Sequence, residues 1–219
     1  MSHETIYLSL FVQPRGTLRK ELTRYLRTRR MVRRSRAAQA TTGQGQLRDA
    51  INISVRPAEV ADRAVPGHWE GDLVLGRGNS AIATLVERTS RFAVLVSLPE
   101  GRSSEAVLAA LAARIVTLPE QLVRSLTWDQ GKEMAQHARF TVATGLPIYI
   151  CDPRSPWQRG TNENTNDLLR QYFPKSTDLT AITEDELDAV AAELNGRPRQ
   201  TLGWMSPSEK FAEAVAMTA

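Results

Sequence analysis

The sequence contains little cysteine and histidine and no long run of apolar residues. Its one cysteine, Cys151, excludes an intrachain disulfide and a cysteine-rich zinc site. The three histidines, His3, His68 and His137, lack the spacing of metal ligands, so we expect structural or surface roles for them. No apolar run reaches the roughly 18 residues of a membrane span, and the N-terminus lacks the order of segments in a signal peptide. These absences predict a soluble protein of a reducing cytosol.

Basic charge is concentrated at the start of the chain. Residues 1–60 hold 12 Lys and Arg against 4 Asp and Glu, a balance of +8, whereas residues 61–219 hold 16 against 20, a balance of −4. Ten of the basic residues fall within residues 15–36, where Glu21 is the one acid. Such a segment favours a polyanionic partner, although a solvated helical face is the alternative. We predict that it contacts DNA, through Arg29, Arg30, Arg33 and Arg34.

The chain is predicted to have three parts. Residues 1–40 form a basic, mostly helical arm, because leucine and tyrosine recur there at spacings of three and four. Residues 41–66 are rich in Ala, Thr, Gly, Gln and Pro and are predicted to be a linker. Residues 67–219 are predicted to be a globular core with a mildly acidic surface, which is the charge balance expected of a domain that holds a cation.

The core shows an α/β pattern. Three apolar runs, GHWEGDLVLG, SAIATLVE and RFAVLVSL, are separated by the turn sequences GRGN and RTS and predict three antiparallel strands. A helix over residues 103–117, the strand VRSLTWD, the helix EMAQHARFTVA and the strand PIYICD follow. Three further helices are predicted after residue 155, over residues 184–195 and from Pro207 onward. This order predicts a mixed sheet with flanking helices.

Three acids lie where an acid does not help folding. Asp72 interrupts the first strand, where aspartate is disfavoured and its burial needs compensation. Asp129 ends the strand SLTW, at the kind of position where open α/β sheets place their ligands. Glu163 lies among small polar residues near the start of a helix, on the side opposite its apolar face. Taken singly, each acid is equally well explained as a turn, edge or solvated residue.

Together the three acids predict a metal site. Carboxylates on adjacent strands and a helix suit Mg²⁺, a hard cation that takes a few carboxylates together with water and substrate phosphates. Two such ions can activate a nucleophile and stabilise a leaving oxygen in phosphoryl transfer. Three neighbouring acids, Glu70, Glu133 and Asp152, rank below the three as ligands.

Several polar and basic side chains near the acids are predicted to contact DNA. They are Lys132, Arg159, Asn162, Asn166, Arg170, Arg197 and Arg199. For the segment before Glu163 the alternative is helix capping, with Ser155 and Gln158 in a capping box. The tryptophans Trp69, Trp128 and Trp204 are predicted to be packing residues.

Six blocks of the sequence resemble transposases of bacterial insertion sequences, in particular the insertion sequence thirty family. They are SHETIYLSLF, PGHWEGDLVLG, IATLVERTSRF, SLTWDQGKEMAQH, FTVATGLPIYICDPRSPWQRGTNENTNDLLRQYFPK and NGRPRQTLGWMSPSEKF, and they span nearly the whole chain. This family carries an Asp-Asp-Glu core of the ribonuclease H and retroviral integrase type. By resemblance, WEGD, TWDQG and GTNEN assign the catalytic and metal-binding acids to Asp72, Asp129 and Glu163.

The resemblance implies a fold, a reaction and partners. It implies a ribonuclease H-like core and two Mg²⁺ ions, with Mn²⁺ as a substitute. It implies cleavage at transposon ends that frees a 3′ hydroxyl, followed by attack of that hydroxyl on target DNA. It also implies a homo-oligomer on DNA in a synaptic complex, in the bacterial cytoplasm near the nucleoid, without a membrane partner.

The sequence departs from this family at its start. Family members normally begin with a helix-turn-helix region, and SHETIY follows the point where that region ends, so we expect a truncated copy, a wrong start codon or a natural short form. Two alternatives stay open beside the transposase. One is a nuclease of the same fold that cuts without joining, and the other is a DNA-binding remnant that regulates a full-length transposase without catalysis.

Overall fold

A computed structural model describes residues 47, 50–60, 63–153 and 155–218 of the chain. The predicted basic arm, with Arg29, Arg30, Arg33 and Arg34, lies outside the described residues. None of the helices in the described ranges combines the length and the apolar character needed to cross a lipid bilayer. The boundaries proposed for the three parts of the chain stay predictions.

Within the described ranges, six strands form one mixed sheet in the order β1-β6-β5-β2-β3-β4. Strands β2, β3 and β4 run antiparallel, as the turn sequences between them predict, whereas β2, β5, β6 and β1 run parallel. Parallel neighbours need crossover connections, and helices supply them here. The strand bounds are β1 Ile51–Asn52, β2 His68–Leu75, β3 Ala81–Glu87, β4 Ala93–Ser97, β5 Ser125–Trp128 and β6 Ile148–Ile150.

Five α-helices flank the sheet in the described part of the chain. Their ends follow local capping: the Ser103 hydroxyl accepts a hydrogen bond from the Ala106 amide at the start of α1, and Thr183 and Glu186 form a capping box on α4. Gly145 ends α2 with a φ of 70°, which a side chain would disfavour. The helix bounds are α1 Ser104–Ile115, α2 His137–Thr144, α3 Gly160–Leu169, α4 Glu184–Asn195 and α5 Pro207–Thr218.

Each face of the sheet carries its own hydrophobic core. One core joins Trp69 and Trp128 of the sheet to α1 and α2, and the other joins Val74 to Leu169 of α3 and Leu187 of α4. Side chains alternate along a strand, so residues two positions apart share a face. Asp72 therefore lies on the face of Val74, under α3.

The predicted linker takes part in the sheet. Ile51 and Asn52 pair with β6 as a parallel edge strand, and Val60 is 1% exposed. These residues belong to the folded core, which corrects the prediction that all of residues 41–66 serve as a linker. A two-residue strand has no periodicity of its own, so tertiary pairing is what defines it.

At the opposite edge of the sheet, a side chain takes the place of a strand. The amide of Asn195, the last residue of α4, donates to the Ala93 carbonyl and accepts from the Ala93 N–H, both at 2.8 Å. Asn195 is 3% exposed. The edge strand β4 is thereby tied to the helix that packs against it.

Candidate active site

Two of the three predicted acids meet through the register of two parallel strands. In the pairing of β2 with β5, His68 lies opposite Ser125 and Glu70 opposite Thr127. Two residues further along each strand, Asp72 lies level with Asp129, which follows the last residue of β5. The two carboxylates therefore lie side by side on one face of the sheet, at the point where β5 ends.

A glycine and a tryptophan set the spacing of this strand pair. A Cβ added to Gly71 would lie 2.1 Å from two ring atoms of Trp128, so the indole ring occupies the place of a side chain. The Trp128 indole N–H donates to Glu133 Oε1 at 3.1 Å, and Trp128 is fully buried. The ring thus holds Asp72 and Asp129 in position from the opposite face. Glu133, ranked below the three acids as a metal ligand, serves this packing.

The guanidinium of Arg159 lies between the two aspartates. Its Nη1 lies 3.1 Å from Asp72 Oδ1 and its Nη2 lies 3.1 Å from Asp129 Oδ2. Nη1 also donates to the Gly71 carbonyl at 3.0 Å. The Arg159 side chain is 12% exposed and its Nε has no hydrogen-bond partner. Arg159 is therefore an internal cation held by two carboxylates, a setting that the prediction of a DNA contact did not include.

The pair of acids and the arginine alter one another's charge equilibria. Burial raises the pKa of Asp72, Arg159 opposes that rise, and the neighbouring Asp129 adds to it. Burial lowers the pKa of Arg159, but the two carboxylates outweigh it and the net shift is upward. The two carboxylates therefore favour the charged form of the guanidinium that lies between them.

Helix α3 joins the site through Asn166. Its Nδ2 donates to Asp72 Oδ2 at 2.9 Å, and its Oδ1 lies 3.0 Å from the Thr84 hydroxyl. Glu163 precedes Asn166 by three residues, which places the two on neighbouring turns of one helix face, and Glu163 is half-buried. Among the described residues no group of three or more His, Cys, Asp and Glu is arranged to hold a metal ion. The role of Glu163 as third ligand stays a prediction.

Asn162 lies in the interior. It is fully buried, and its Nδ2 donates to the Glu70 carbonyl at 2.8 Å while its Oδ1 accepts from Thr84 at 2.9 Å. Nothing of this side chain faces solvent, so we remove Asn162 from the predicted DNA contacts. Sequence alone does not predict this burial, since asparagine is mostly exposed in proteins.

The segment before α3 is organised around Asp152. Gln158 Oε1 accepts from the Asp152 N–H and Gln158 Nε2 donates to Asp152 Oδ2, both at 2.8 Å. Ser155 provides no side-chain cap, so the proposed capping box does not form. Trp157, between them, is 72% exposed. This loop presents an exposed aromatic side chain two residues before Arg159.

The other predicted DNA contacts are spread over the surface. Lys132 is exposed in the turn after β5. Arg170, at the end of α3, donates to the Leu75 carbonyl at 2.8 Å. Arg197 contacts Tyr172 and Glu193, and Arg199 donates to the Leu194 carbonyl at 3.2 Å. Lys132 and Arg170 thus follow elements of the candidate site, whereas Arg197 and Arg199 follow α4.

The predictions for the three tryptophans have different outcomes. Trp69 and Trp128 are buried at 2% and 0% exposure, which confirms them as packing residues. Trp204 is 69% exposed, so the prediction that it packs is wrong. It lies in a turn and has a φ of 72°.

Comparisons with known proteins agree with this architecture. Residues 62–156 match the family model of the integrase core domain, rve, a range that contains Asp72 and Asp129 but not Glu163. The chain is 52% identical over 217 residues to the transposase for insertion sequence element IS1086 of Cupriavidus metallidurans, covering 99% of this chain and 63% of that protein. It is 47% identical over 220 residues to the transposase InsI for insertion sequence element IS30A of Escherichia coli K12, covering 100% of this chain and 57% of that protein.

The resemblance to transposases of the insertion sequence thirty family is confirmed. The chain spans about three fifths of the length of the curated relatives it matches, with 63% and 57% of their residues covered. The sequence blocks that predicted the family are therefore part of a similarity along the whole chain.

Solved structures confirm the fold. The catalytic core domain of BIV integrase superposes with a TM-score of 0.52 at 19% identity, over 69% of this chain and 97% of that one. A chain of the simian T-cell lymphotropic virus intasome in complex with the PP2A regulatory subunit B56 gamma gives a TM-score of 0.53 at 17% identity, over 67% and 54%. The integrase-core chain is thus α/β, with the ribonuclease H-like mixed sheet and flanking helices that its sequence predicts.

Proposed function

We propose that this chain is the catalytic part of a transposase, which cleaves DNA at transposon ends and joins those ends to target DNA. The proposal names Asp72, Asp129 and Glu163 as the catalytic acids. The observation that carries it is the meeting of Asp72 and Asp129 at 3.1 Å from one guanidinium, on two neighbouring central strands of a sheet whose sequence matches the integrase core domain. The similarity along the whole chain to two transposases supports it.

The carboxylates fit divalent metal ions. They present hard oxygen atoms, and Asp72 and Asp129 already hold a cation, the Arg159 guanidinium, between them. Glu163 would complete the set from α3. We propose two Mg²⁺ ions, which Mn²⁺ can replace; such ions lower the pKa of water and stabilise the charge on a leaving oxygen.

The residues around the acids would position DNA and the carboxylates. Asn166 donates from its amide to Asp72 Oδ2, which restricts the orientation of that carboxylate. Arg159 is the side chain that has to release the aspartates when a metal ion is bound, and a DNA phosphate is its natural next partner. Lys132, in the turn after β5, and Arg170, at the end of α3, are proposed phosphate contacts. Arg197 and Arg199 are proposed contacts further from the acids.

The proposed reaction has two phosphoryl transfers. Water attacks a phosphodiester at the transposon end, the bond from phosphorus to the 3′ oxygen breaks, and a 3′ hydroxyl is released. That hydroxyl then attacks a phosphodiester of target DNA, and a new strand is joined as the old 3′ oxygen leaves. The whole protein is proposed to act as a homo-oligomer on two DNA ends. Its activity, DNA substrate and partners are proposals.

Nicking of a supercoiled plasmid in Mn²⁺ tests the catalytic acids. We expect the native chain to nick and Glu163→Gln to lose at least about a hundredfold in rate, because the variant keeps the shape and removes the charge. Asp167→Asn is the matched control, since Asp167 is an exposed acid on the same helix. It should nick within about twofold of the native rate.

The outcomes separate the candidate functions. Equal nicking by the native chain and Glu163→Gln would remove Glu163 from the catalytic set. Absence of nicking in a folded native chain that binds DNA would instead support the DNA-binding remnant. A precut transposon end added to the assay distinguishes joining from cutting alone, because a nuclease would nick and yield no joined product.

A further inference from the structure

A fully buried glutamate on the central strand binds the helix that carries Glu163. Glu70 is 0% exposed and precedes Asp72 by two residues, so both lie on the face of β2 that α3 covers. Glu70 Oε2 accepts hydrogen bonds from the backbone N–H groups of Thr161 and Asn162, each at 3.0 Å. These are the second and third residues of α3, whose amides have no acceptor within the helix.

The helix lacks a cap of its own. The residue at its N-cap position, Arg159, makes no side-chain capping bond, because a guanidinium has only hydrogen-bond donors and a cap requires an acceptor. Glu70 supplies the missing acceptor from another element, and its negative charge also complements the positive end of the helix dipole. The Asn162 side chain adds a third bond by donating to the Glu70 carbonyl at 2.8 Å. The first turn of α3 is therefore bound to β2.

The second oxygen of Glu70 has a partner as well. Glu70 Oε1 forms a buried ion pair with Arg88, whose side chain is 6% exposed and whose Nε donates to the Val60 carbonyl at 3.2 Å. Both carboxylate oxygens thus face donors, and the buried charge is paired. Glutamine at this position would turn its NH₂ group toward a donor, either Arg88 or the helix.

The structure assigns Glu70 the role of a positioning residue for the catalytic site. By fixing the first turn of α3 it sets the place of Arg159 before that turn and of Glu163 within it. This inference rests on the proposed function for its catalytic consequence. Its structural part, a fixed helix start, can be measured without any activity.

The test compares Glu70→Gln with Glu87→Gln in the full chain. Glu87 is also 0% exposed, and its carboxylate accepts from the Gly67 N–H at 3.1 Å and the Ser90 N–H at 2.6 Å, away from α3. Both variants remove one buried charge, so a general loss of stability appears in both. Hydrogen exchange of the Thr161 and Asn162 amides is the first measurement. The Mn²⁺ concentration for half-maximal plasmid nicking is the second.

We expect Glu70→Gln to speed exchange at both amides by about tenfold or more, relative to the amides of α4, as local opening becomes easier. The half-maximal Mn²⁺ concentration should rise roughly fivefold or more in the same variant, since a displaced Glu163 weakens a ligand set. Glu87→Gln should leave both measurements within about twofold of the native chain.

Native exchange at both amides in Glu70→Gln would overturn the inference. So would an equal change in Glu87→Gln, since the effect would then be general. If the native chain does not nick, the proposed function fails, while the exchange comparison still decides the position of α3. If Glu70→Gln does not fold, Asn162→Ala removes one of the three bonds, and a faster exchange at Thr161 is the result that supports the inference, while an unchanged rate refutes it.

Discussion

Replacing Gly71 with alanine tests the packing that holds the two aspartates together. The added Cβ would lie 2.1 Å from two atoms of the Trp128 ring, whereas ordinary contact begins near 3.4 Å, so the ring has to move by the difference, 1.3 Å. Trp128 is fully buried, and Leu126 Cδ1 lies 3.2 Å from the same Cβ. Overpacking of this kind costs about 3 kcal/mol.

That cost predicts two measurable losses. For a chain of this size each kcal/mol lowers the melting temperature by about 2–4 °C, so Gly71→Ala should melt roughly 6–12 °C below the native chain. Plasmid nicking should fall by about a hundredfold, because Asp129 follows the displaced Trp128 and a misplacement near 1 Å costs about that much.

Gly160→Ala is the matched control for this prediction. A Cβ at Gly160 meets nothing within 4 Å, and Gly160 lies in α3, where alanine is the better helix former by up to about 1 kcal/mol. Its melting temperature should match or exceed that of the native chain. A Gly71→Ala chain that melts within about 1 °C of the native chain would refute the argument, because the ring would then have room that the structure does not show.

Two further predictions concern charge. Arg159→Gln should bind Mn²⁺ roughly tenfold more tightly in the absence of DNA, a gain of about 1.4 kcal/mol, because Asp72 and Asp129 no longer hold an internal cation. Calorimetry measures this affinity, and Arg114→Gln is the control. An unchanged affinity in Arg159→Gln would contradict the prediction. Burial, with Arg124 next, lowers the pKa of His68 from 6.5 to about 4. Between pH 6.5 and pH 4 the unfolded chain therefore binds a proton at His68 that the folded chain does not. The free energy of unfolding is at its full value above pH 6.5 and decreases as the pH falls toward 4. Urea unfolding should show about 2 kcal/mol less stability from this residue at pH 5 than at pH 7, and His68→Gln should remove that dependence; an equal pH dependence in the variant would argue against it.

The parts of the fold that sequence could predict are those defined by local patterns. Strands β2, β3 and β4 follow from apolar runs separated by GRGN and RTS, and α4 was predicted with the bounds that the structure has, residues 184–195. Asp72 and Asp129 were predicted for a related reason. An acid within or just after an apolar strand is conspicuous, because aspartate is disfavoured there.

The parts that sequence could not predict depend on pairing between distant residues. Arg159 reaches Asp72 and Asp129 across 87 and 30 residues of chain, and such contacts follow from strand register rather than from local pattern. Sequence ranks Glu70 below Asp72 as a metal ligand but does not predict its contact with α3. Two acids in one strand look alike until a helix end is placed over one of them. β1 is too short to carry a pattern.

The amide of Asn195 has a consequence for how copies of this chain behave together. An edge strand with free N–H and C=O groups is a template on which another chain can add a strand, and that is a common route to aggregation. Here the edge residue Ala93 has both groups occupied by a single side chain from the same chain. The last residue of a helix thus closes this position of the edge strand to a strand from another chain.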